Sequence, residues 1–185
     1  MNSYRVNTNY AKALFLLATD RGQTDRVADD MKLIGDVMAE NHELSVVMGN
    51  PTLRYDKKKA VMDALFANRV SDETAAFLAF VIKKNRSVNL HGISEAYLNM
   101  WRDSRGIVRG DLVSHLEADE SAKEQVRQLI ADYTGKEVEL HATTDPNMLG
   151  GFKMEFNHNM YDARLRTKIR KLRKAFSDNE YESKL

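Results

Sequence analysis

The side chains in this sequence that could take part in chemistry are its histidines, its adjacent carboxylates and one pair of glycines. The histidines are His42, His91, His115, His141 and His158. No two of them are four residues apart, the spacing that places two imidazoles on one face of a helix, so a zinc site has weak support. His115 and His141 fall on predicted strands and could approach each other, although ordinary surface histidines are the simpler interpretation.

The carboxylates and glycines give no stronger indication of a reaction site. Asp29-Asp30 and Asp119-Glu120 fall on predicted helix surfaces or caps, whereas acid–base catalysis needs carboxylates in a cleft that shifts their pKa. Gly150-Gly151 lacks the spacing of a P-loop or a dinucleotide-binding motif and predicts a backbone turn. The chain has no cysteine, which excludes disulfides and thiolate chemistry. We therefore expect no catalytic residue, no cofactor and no metal.

The composition indicates a folded chain with a charge-balanced surface. Of its 185 residues, 43% are hydrophobic and 30% are charged, and 28 basic residues nearly cancel 27 acidic ones. This balance gives no general reason to expect nucleic acid as a partner. No segment has the apolar run of a secretory signal or the length of a membrane span, so we expect any membrane association to be indirect, through partners.

The first 105 residues predict a bundle of six helices. Apolar residues recur at spacings of three and four, and Ser71 is placed to cap the fifth helix. That fifth helix carries more apolar positions than one narrow stripe, which indicates burial on two sides or a side reserved for a partner. Three lysines, Lys57 to Lys59, have the wrong sign for the first turn of the fourth helix, so they are either solvated or facing an acidic partner.

The periodicity changes after Gly106, which we take as the boundary between two domains, 1–105 and 106–185. Alternating segments at 107–115, 137–142 and 152–157 predict three strands, and a helix capped by Asp119 and closed by Gly135 separates the first two. Asn157-His158-Asn159 reads as a turn, a last helix runs from Ala163 to Phe176, and a polar tail follows. The predicted class is α+β, a helical bundle followed by a small α/β module.

The last helix is strongly basic and amphipathic. Its cations fall within eleven residues without an acid among them: Arg164, Arg166, Lys168, Arg170, Lys171, Arg173 and Lys174. Leu165, Ile169 and Leu172 stay together on one side. Three interpretations remain open, namely a solvated outer face over the small sheet, docking onto an acidic partner helix, and binding of nucleic acid or anionic lipid.

Several segments, taken together and in order, resemble the delta subunit of F-type ATP synthases, the oligomycin-sensitivity-conferring protein family. The matching landmarks are Tyr10-Ala-Lys-Ala-Leu-Phe15, Asn50-Pro51-Thr52 with its lysine-rich turn, Arg105-Gly106-Ile107-Val108-Arg109, Asp145-Pro146 through Gly150-Gly151, and Asp162 with the basic helix. They span roughly residues 4 to 176. Ala163 departs from the pattern, because the family often has glycine there.

The resemblance implies a non-catalytic stator subunit that couples proton flow to ATP synthesis. Its first domain would bind the catalytic alpha/beta head by holding the N-terminal helix of an alpha subunit, and its second would bind the b subunits of the peripheral stalk. It implies a monomer within the complex, on the cytoplasmic face of a bacterial membrane and without nucleic acid as partner. The remaining alternative is a small nucleic-acid-binding or regulatory protein that uses its basic C-terminal helix.

The resemblance also leads us to nominate binding residues. For a groove between the first and fifth helices we nominate Tyr10, Ala11, Leu14, Phe15, Ala18, Ala75, Leu78, Val81 and Ile82. A groove that takes a helix needs exposed apolar side chains with small residues between them. For the stalk contact we nominate Gly150, Gly151, Arg164, Lys168 and Lys171. Ordinary core packing is the alternative for each groove residue.

Overall fold

A computed structural model describes residues 3–66, 68–156 and 159–177 of the chain. The chain divides into two compact units, Met1–Arg105 and Gly106–Leu185. Asn157 and His158 of the predicted turn, and the predicted polar tail from residue 178 onward, lie outside the described residues. Within the described ranges, no helix combines the length and the apolar character that crossing a membrane requires.

The first unit is helical. Its elements are α1 (Ser3–Asp20), α2 (Thr24–Glu40), α3 (His42–Gly49), α4 (Tyr55–Phe66), α5 (Asp72–Lys83), a short 3-10 helix (Ser87–Asn89) and α6 (Leu90–Arg105). α6 packs along both α1 and α2, and α5 packs on α4 and α2. The apolar stripes meet in one core, whose fully buried members include Leu14, Ile34, Val81, Ile93 and Tyr97.

The start of α5 is held by a buried carboxylate. Ser71 caps the helix, as predicted, and its Oγ accepts a hydrogen bond from the Thr74 N–H. Asp30 on α2 accepts two bonds from Ser71, from its N–H at 2.8 Å and from its Oγ at 2.6 Å. The expectation that Asp30 lies on a helix surface is wrong: it is 2% exposed. The first N–H groups of a helix lack intrahelical partners, so a carboxylate is stabilised beside them.

The second correction in this unit concerns Lys58, which is neither solvated nor facing a partner. It is 3% exposed. Its Nζ donates to the Met48 carbonyl at 2.7 Å and lies 3.2 Å from the Ser87 Oγ. Met48 is in the last turn of α3, where carbonyl groups are unpaired and the helix dipole favours a cation. Lys58 therefore ties α4 to the end of α3, while its neighbour Lys57 is exposed.

The second unit contains a mixed sheet. Its elements are β1 (Ile107–Ser114), α7 (Glu120–Thr134), β2 (Glu137–Thr144), β3 (Phe152–Phe156), β4 (Asn159–Asp162) and α8 (Leu165–Ser177). The strand order is β2-β1-β3-β4; β1 and β2 are parallel, and the β1–β3 and β3–β4 pairs are antiparallel. The α+β class is confirmed. The strand β4 was not predicted, because four mostly exposed residues show no alternation.

α7 covers one face of the sheet at a glycine. A Cβ placed on Gly110 would lie 2.8 Å from Cδ1 of Ile130, which is fully buried. The absent side chain on β1 therefore lets α7 approach closely. Val108 and Leu112, two residues on either side of Gly110, are buried on the same face, as the alternation predicts. Asp119 caps α7 and Gly135 ends it with a φ of 66°, also as predicted.

Candidate functional site

Most of the side chains nominated for a groove between α1 and α5 are buried in the core. Six of the nine are at most 4% exposed: Ala11, Leu14, Ala18, Leu78, Val81 and Ile82. They belong to the hydrophobic core of the helical unit. Their burial contradicts the expectation that they are exposed to a partner. A core-facing stripe and a partner-facing stripe have the same 3.6-residue period, so spacing could not separate them.

The other three nominated residues point in different directions. Phe15 is half-buried against α6, where its ring centroid lies 5.7 Å from that of Tyr97. Ala75 is exposed but lines a cleft of about 270 Å³ between α4 and α5, away from α1. Only Tyr10 lies where α1 and α5 meet, with its ring centroid 6.1 Å from that of Phe80.

Two contacts define the orientation of α1 against α5. At one end Arg21, just after α1, pairs with Glu73 at 2.7 Å, and at the other end Tyr10 contacts Phe80. Because the residue numbers rise on α1 as they fall on α5, the two helices are antiparallel. We call the surface between these two contacts the α1/α5 face. On α1 it includes the exposed residues Ala13 and Leu17, which follow Tyr10 at intervals of about one turn. On α5 it includes the exposed residue Ala76, one turn before Phe80.

The α1/α5 face combines exposed apolar side chains with small ones. Leu17 is 39% exposed and Phe80 is 47% exposed, and both are large side chains. Ala13 and Ala76 leave room beside them. None of these four residues was nominated from the sequence, although the excess of apolar positions on α5 was the signal that one side of that helix was not needed for the core. This is the arrangement that accepts the ridge of an amphipathic helix.

Charged groups lie at both ends of the α1/α5 face. The Nζ of Lys84 lies 5.7 Å from the centroid of the Phe80 ring, within the range of a cation–π interaction. At the other end, a backbone hydrogen bond and the Arg21 guanidinium lower the pKa of Glu73, which keeps that carboxyl ionised. The face therefore has fixed charges around an apolar centre, and it holds no arrangement for proton transfer.

In the second unit, the structure brings the glycine pair to the beginning of α8. The Gly150 carbonyl accepts a hydrogen bond from the Leu165 N–H at 2.9 Å. Gly151 has a φ of 84°, and a Cβ there would lie 2.4 Å from the Ala163 carbonyl oxygen. The two glycines are therefore needed by the backbone: they allow the turn after β2 to pack directly on the residues that open α8.

Asp162 fixes the same junction with its carboxylate. It accepts bonds from the N–H, Nε and Nη2 of Arg164 at 3.0, 3.0 and 2.7 Å, and from the Thr167 Oγ1 at 3.0 Å. The Arg164 guanidinium is the largest cause that holds the pKa of Asp162 well below its usual range. Ala163 donates its N–H to the Phe152 carbonyl and has no positive φ, so this departure from the family pattern costs no backbone strain.

α8 presents its apolar stripe to solvent. Its large apolar side chains are 45% to 78% exposed: Leu165, Ile169, Leu172 and Phe176. The small sheet therefore does not cover them. Arg164 is engaged by Asp162, but Lys168 and Lys171 are exposed, and neither they nor the other four cations of α8 form an ion pair with any described residue. An exposed apolar stripe of this kind, flanked by cations, marks a candidate surface for binding a partner.

A second apolar surface lies between α7 and the sheet. It is a cleft of about 530 Å³ lined mainly by apolar side chains, among them Leu112, Val126, Leu129, Phe152, Met154 and Tyr161. Gly151, which was nominated from the sequence, also lines this cleft, but none of the apolar side chains named here was nominated, because they come from segments far apart in the chain. The cleft has one end beside Gly151, close to the start of α8.

Comparisons with known proteins identify relatives over nearly the whole chain. A model of the family described as ATP synthase delta (OSCP) subunit matches residues 6–176. The ATP synthase subunit delta of Chlorobium luteolum is 32% identical over 97% of this chain and 99% of the relative, and that of Cytophaga hutchinsonii is 32% identical over 96% and 97%. A chain of the Toxoplasma gondii mitochondrial ATP synthase hexamer, solved by cryo-electron microscopy, is similar in fold, with a TM-score of 0.74, 16% identity, and coverage of 92% of this chain and 97% of that chain.

Proposed function

This chain belongs to the ATP synthase delta (OSCP) subunit family, and on that premise we propose that each of its two units binds a different part of a rotary ATP synthase. The subunit is a non-catalytic component of the peripheral stalk, the stator of the complex. Its family match covers both units, so both contribute to that role. The proposal below concerns which surface binds which partner.

The helical unit binds the catalytic head. The six helices α1 to α6 form the head-binding bundle, and the α1/α5 face receives the amphipathic N-terminal helix of an alpha subunit. The observation that carries this proposal is the exposure of Leu17 and Phe80 beside Ala13 and Ala76, since a helix docks where large apolar side chains alternate with small ones. Tyr10, the one nominated residue that lies there, completes the surface.

The second unit binds the b subunits of the stalk. Its two uncovered apolar surfaces, the α7/sheet cleft and the stripe of α8, would be covered by stalk helices. Lys168 and Lys171 flank the stripe and would pair with carboxylates of the partner, which favours the interpretation that α8 docks onto an acidic helix. In this contact Gly150, Gly151 and Arg164 set the position of α8, and Gly151 also lines the cleft that the partner would cover.

Together these contacts hold the alpha/beta head stationary while the rotor turns. The subunit performs no chemistry, so its contribution is the mechanical strength of two interfaces. We place the subunit as a monomer within the complex, at the cytoplasmic face of a bacterial membrane, with the membrane contacted only through other subunits.

Titration of the full-length chain with two peptides tests this assignment. The probes are the N-terminal segment of the alpha subunit and the C-terminal segment of the b subunit from the same complex. We expect both peptides to bind saturably and without competing with each other. We expect Leu17→Asp to lower the affinity for the alpha peptide and to leave the affinity for the b peptide unchanged. Val47→Asp on α3, at an apolar position that is 36% exposed against 39% for Leu17, is the matched control. A chain that binds neither peptide would contradict the proposal.

The alternative of a nucleic-acid-binding protein is not favoured by the family assignment. Its remaining support is the basic character of α8. An oligonucleotide titration at several salt concentrations tests it, because phosphate contacts by several cations produce a steep loss of affinity as salt rises. We expect no specific binding at physiological salt.

A further inference from the structure

The strand β2 forms one edge of the sheet in the second unit, since its neighbour in the strand order is β1 alone. It is eight residues long, contains no proline and no lysine, and pairs with β1 residue for residue without a bulge. Natural sheets usually block an exposed edge with one of these features or with a very short strand, because unpaired backbone groups otherwise bind another strand. The opposite edge, β4, has only four residues. β2 is therefore the edge that is open to strand addition.

The even-numbered residues of β2 point their backbone groups out of the sheet. Asp145, directly after β2, donates its N–H to the Ser114 carbonyl of β1 at 2.9 Å. Successive residues of a strand direct their N–H and C=O groups to opposite sides, so the odd-numbered residues of β2 bond to β1 and the even-numbered ones face outward. Within the part of the chain that the structure describes, these outward groups have no hydrogen-bond partner; they belong to Val138, Leu140, Ala142 and Thr144.

The exposed side chains of β2 are complementary to a second copy of the same strand. If the second strand runs antiparallel about a twofold axis at Leu140, its His141 lies opposite Glu139, and this contact occurs twice. The other glutamate, Glu137, then lies opposite a threonine. An axis at either neighbouring residue would place two carboxylates opposite each other, Glu139 with itself or Glu137 with Asp145, and like charges in that position are destabilising. The charges therefore select the axis at Leu140.

We propose that two copies of this chain, outside the complex, associate by antiparallel pairing of β2 with β2 about a twofold axis at Leu140. The same register places outward-facing backbone groups opposite one another, Leu140 with Leu140 and Val138 with Ala142, so that each of these pairs exchanges both of its hydrogen bonds. Their apolar side chains lie on the face of the sheet that α7 covers. The contact uses neither the α1/α5 face nor α8, so it is independent of the proposed function.

Cysteine cross-linking tests the register, because the chain contains no cysteine of its own. Glu139 and His141 of the second copy would form a non-hydrogen-bonded pair, whose Cα atoms are about 4.5 Å apart and within reach of a disulfide. We expect an equal mixture of the full-length variants Glu139→Cys and His141→Cys to form disulfide-linked dimers in several-fold higher yield than either variant alone. Equal yields from the mixture and from the separate variants, or no linked dimer, would overturn the proposal.

Sedimentation equilibrium of the unmodified full-length chain measures the association itself. Pairing along one strand buries less surface than a stable interface does, so we expect a weak dimer with a dissociation constant of about 0.1–1 mM. A mass that remains that of the monomer throughout this range would overturn the proposal. Binding of the alpha and b peptides is a separate measurement, so the failure of strand pairing and the failure of the proposed function are distinguishable.

Two substitutions of His141 should change the dimer in opposite directions. We expect His141→Glu to weaken the dimer by about three- to tenfold at low salt, because it places a carboxylate opposite Glu139 at both symmetric positions, and His141→Lys to strengthen it by a similar factor. His91→Glu and His91→Lys on α6 make the same changes at an exposed position outside the sheet and should leave the dimer unchanged. Equal effects at the two positions would show that net charge, and not strand pairing, controls the association, and would contradict the proposal.

Discussion

Leu14 and Leu17 lie one turn apart on α1, yet Leu14 is 1% exposed and Leu17 is 39% exposed. The two side chains are chemically identical, so the same substitution at each separates the role of α1 in folding from its role in binding. Leu14 belongs to the core of the helical unit, whereas Leu17 belongs to the α1/α5 face.

Leu14→Asp should unfold the helical unit, because it buries a charge and removes core packing at a cost of about 4 kcal/mol or more. Leu17→Asp should cost less than about 1 kcal/mol of stability, since the new carboxylate reaches water. It should nevertheless lower the affinity for the alpha peptide by at least about tenfold, because it places a charge in an apolar contact. Urea unfolding and peptide titration measure the two effects. Loss of peptide binding in both variants, with equal loss of stability, would contradict the distinction.

Lys58 and Lys57 provide a similar pair on α4. Lys58→Met should lower the free energy of unfolding by about 1–3 kcal/mol, because the Met48 carbonyl loses a charged donor inside the protein. Lys57→Met, at an exposed position, should change stability by less than about 0.5 kcal/mol. The midpoints of urea unfolding provide the comparison. An unchanged midpoint for Lys58→Met would show that the buried ammonium contributes nothing net to folding.

Gly151→Ala should be more damaging than Gly150→Ala. Both positions have a positive φ, but only at Gly151 would the new Cβ collide with backbone, the Ala163 carbonyl oxygen. We expect the first variant to lose about 1–3 kcal/mol more than the second, since neither backbone segment can yield cheaply. Thermal unfolding of the full chain, followed by titration with the b peptide, tests this expectation. A similar loss in both variants would mean that the turn can move away from α8.

The contact of Asp162 with Arg164 should make the start of α8 sensitive to acid. Its pKa is lower in the folded chain than the ordinary value of 3.8, so the ionised form stabilises the fold. That stabilisation is complete above the ordinary pKa and is lost as pH falls below it toward the lowered value. Hydrogen exchange at the Arg164 amide, followed from neutral to acidic pH, should show protection that persists through pH 4 and decreases below it.

Asp162→Asn should remove most of that pH dependence, because the amide cannot ionise. Asp132→Asn, which changes an exposed carboxylate on α7, should leave the pH dependence of the Arg164 protection unchanged. If the Arg164 amide lost its protection at the same pH in the unmodified chain and in Asp162→Asn, the carboxylate would not be the group responsible.

Local features of the structure were predictable from the sequence because neighbouring residues determine them. Ser71 and Asp119 cap helices through bonds to N–H groups three residues away, and Gly135 ends α7 by taking a positive φ. The change from helical to alternating periodicity after Gly106 likewise depends only on nearby side chains. The ordered landmarks from Tyr10 to Asp162 were sufficient to indicate the family that the comparisons then identified.

Contacts between distant segments decided the rest. Asp30 is buried because Ser71 approaches it, Lys58 because the end of α3 does, and β4 exists because β3 pairs with it. Leu14 and Leu17 could not be told apart by spacing, since core-facing and partner-facing positions recur with the same helical period. Which apolar side chains remain exposed depends on how much of each helix its neighbours cover. That coverage is a property of the packed fold, and so the binding surface became visible only there.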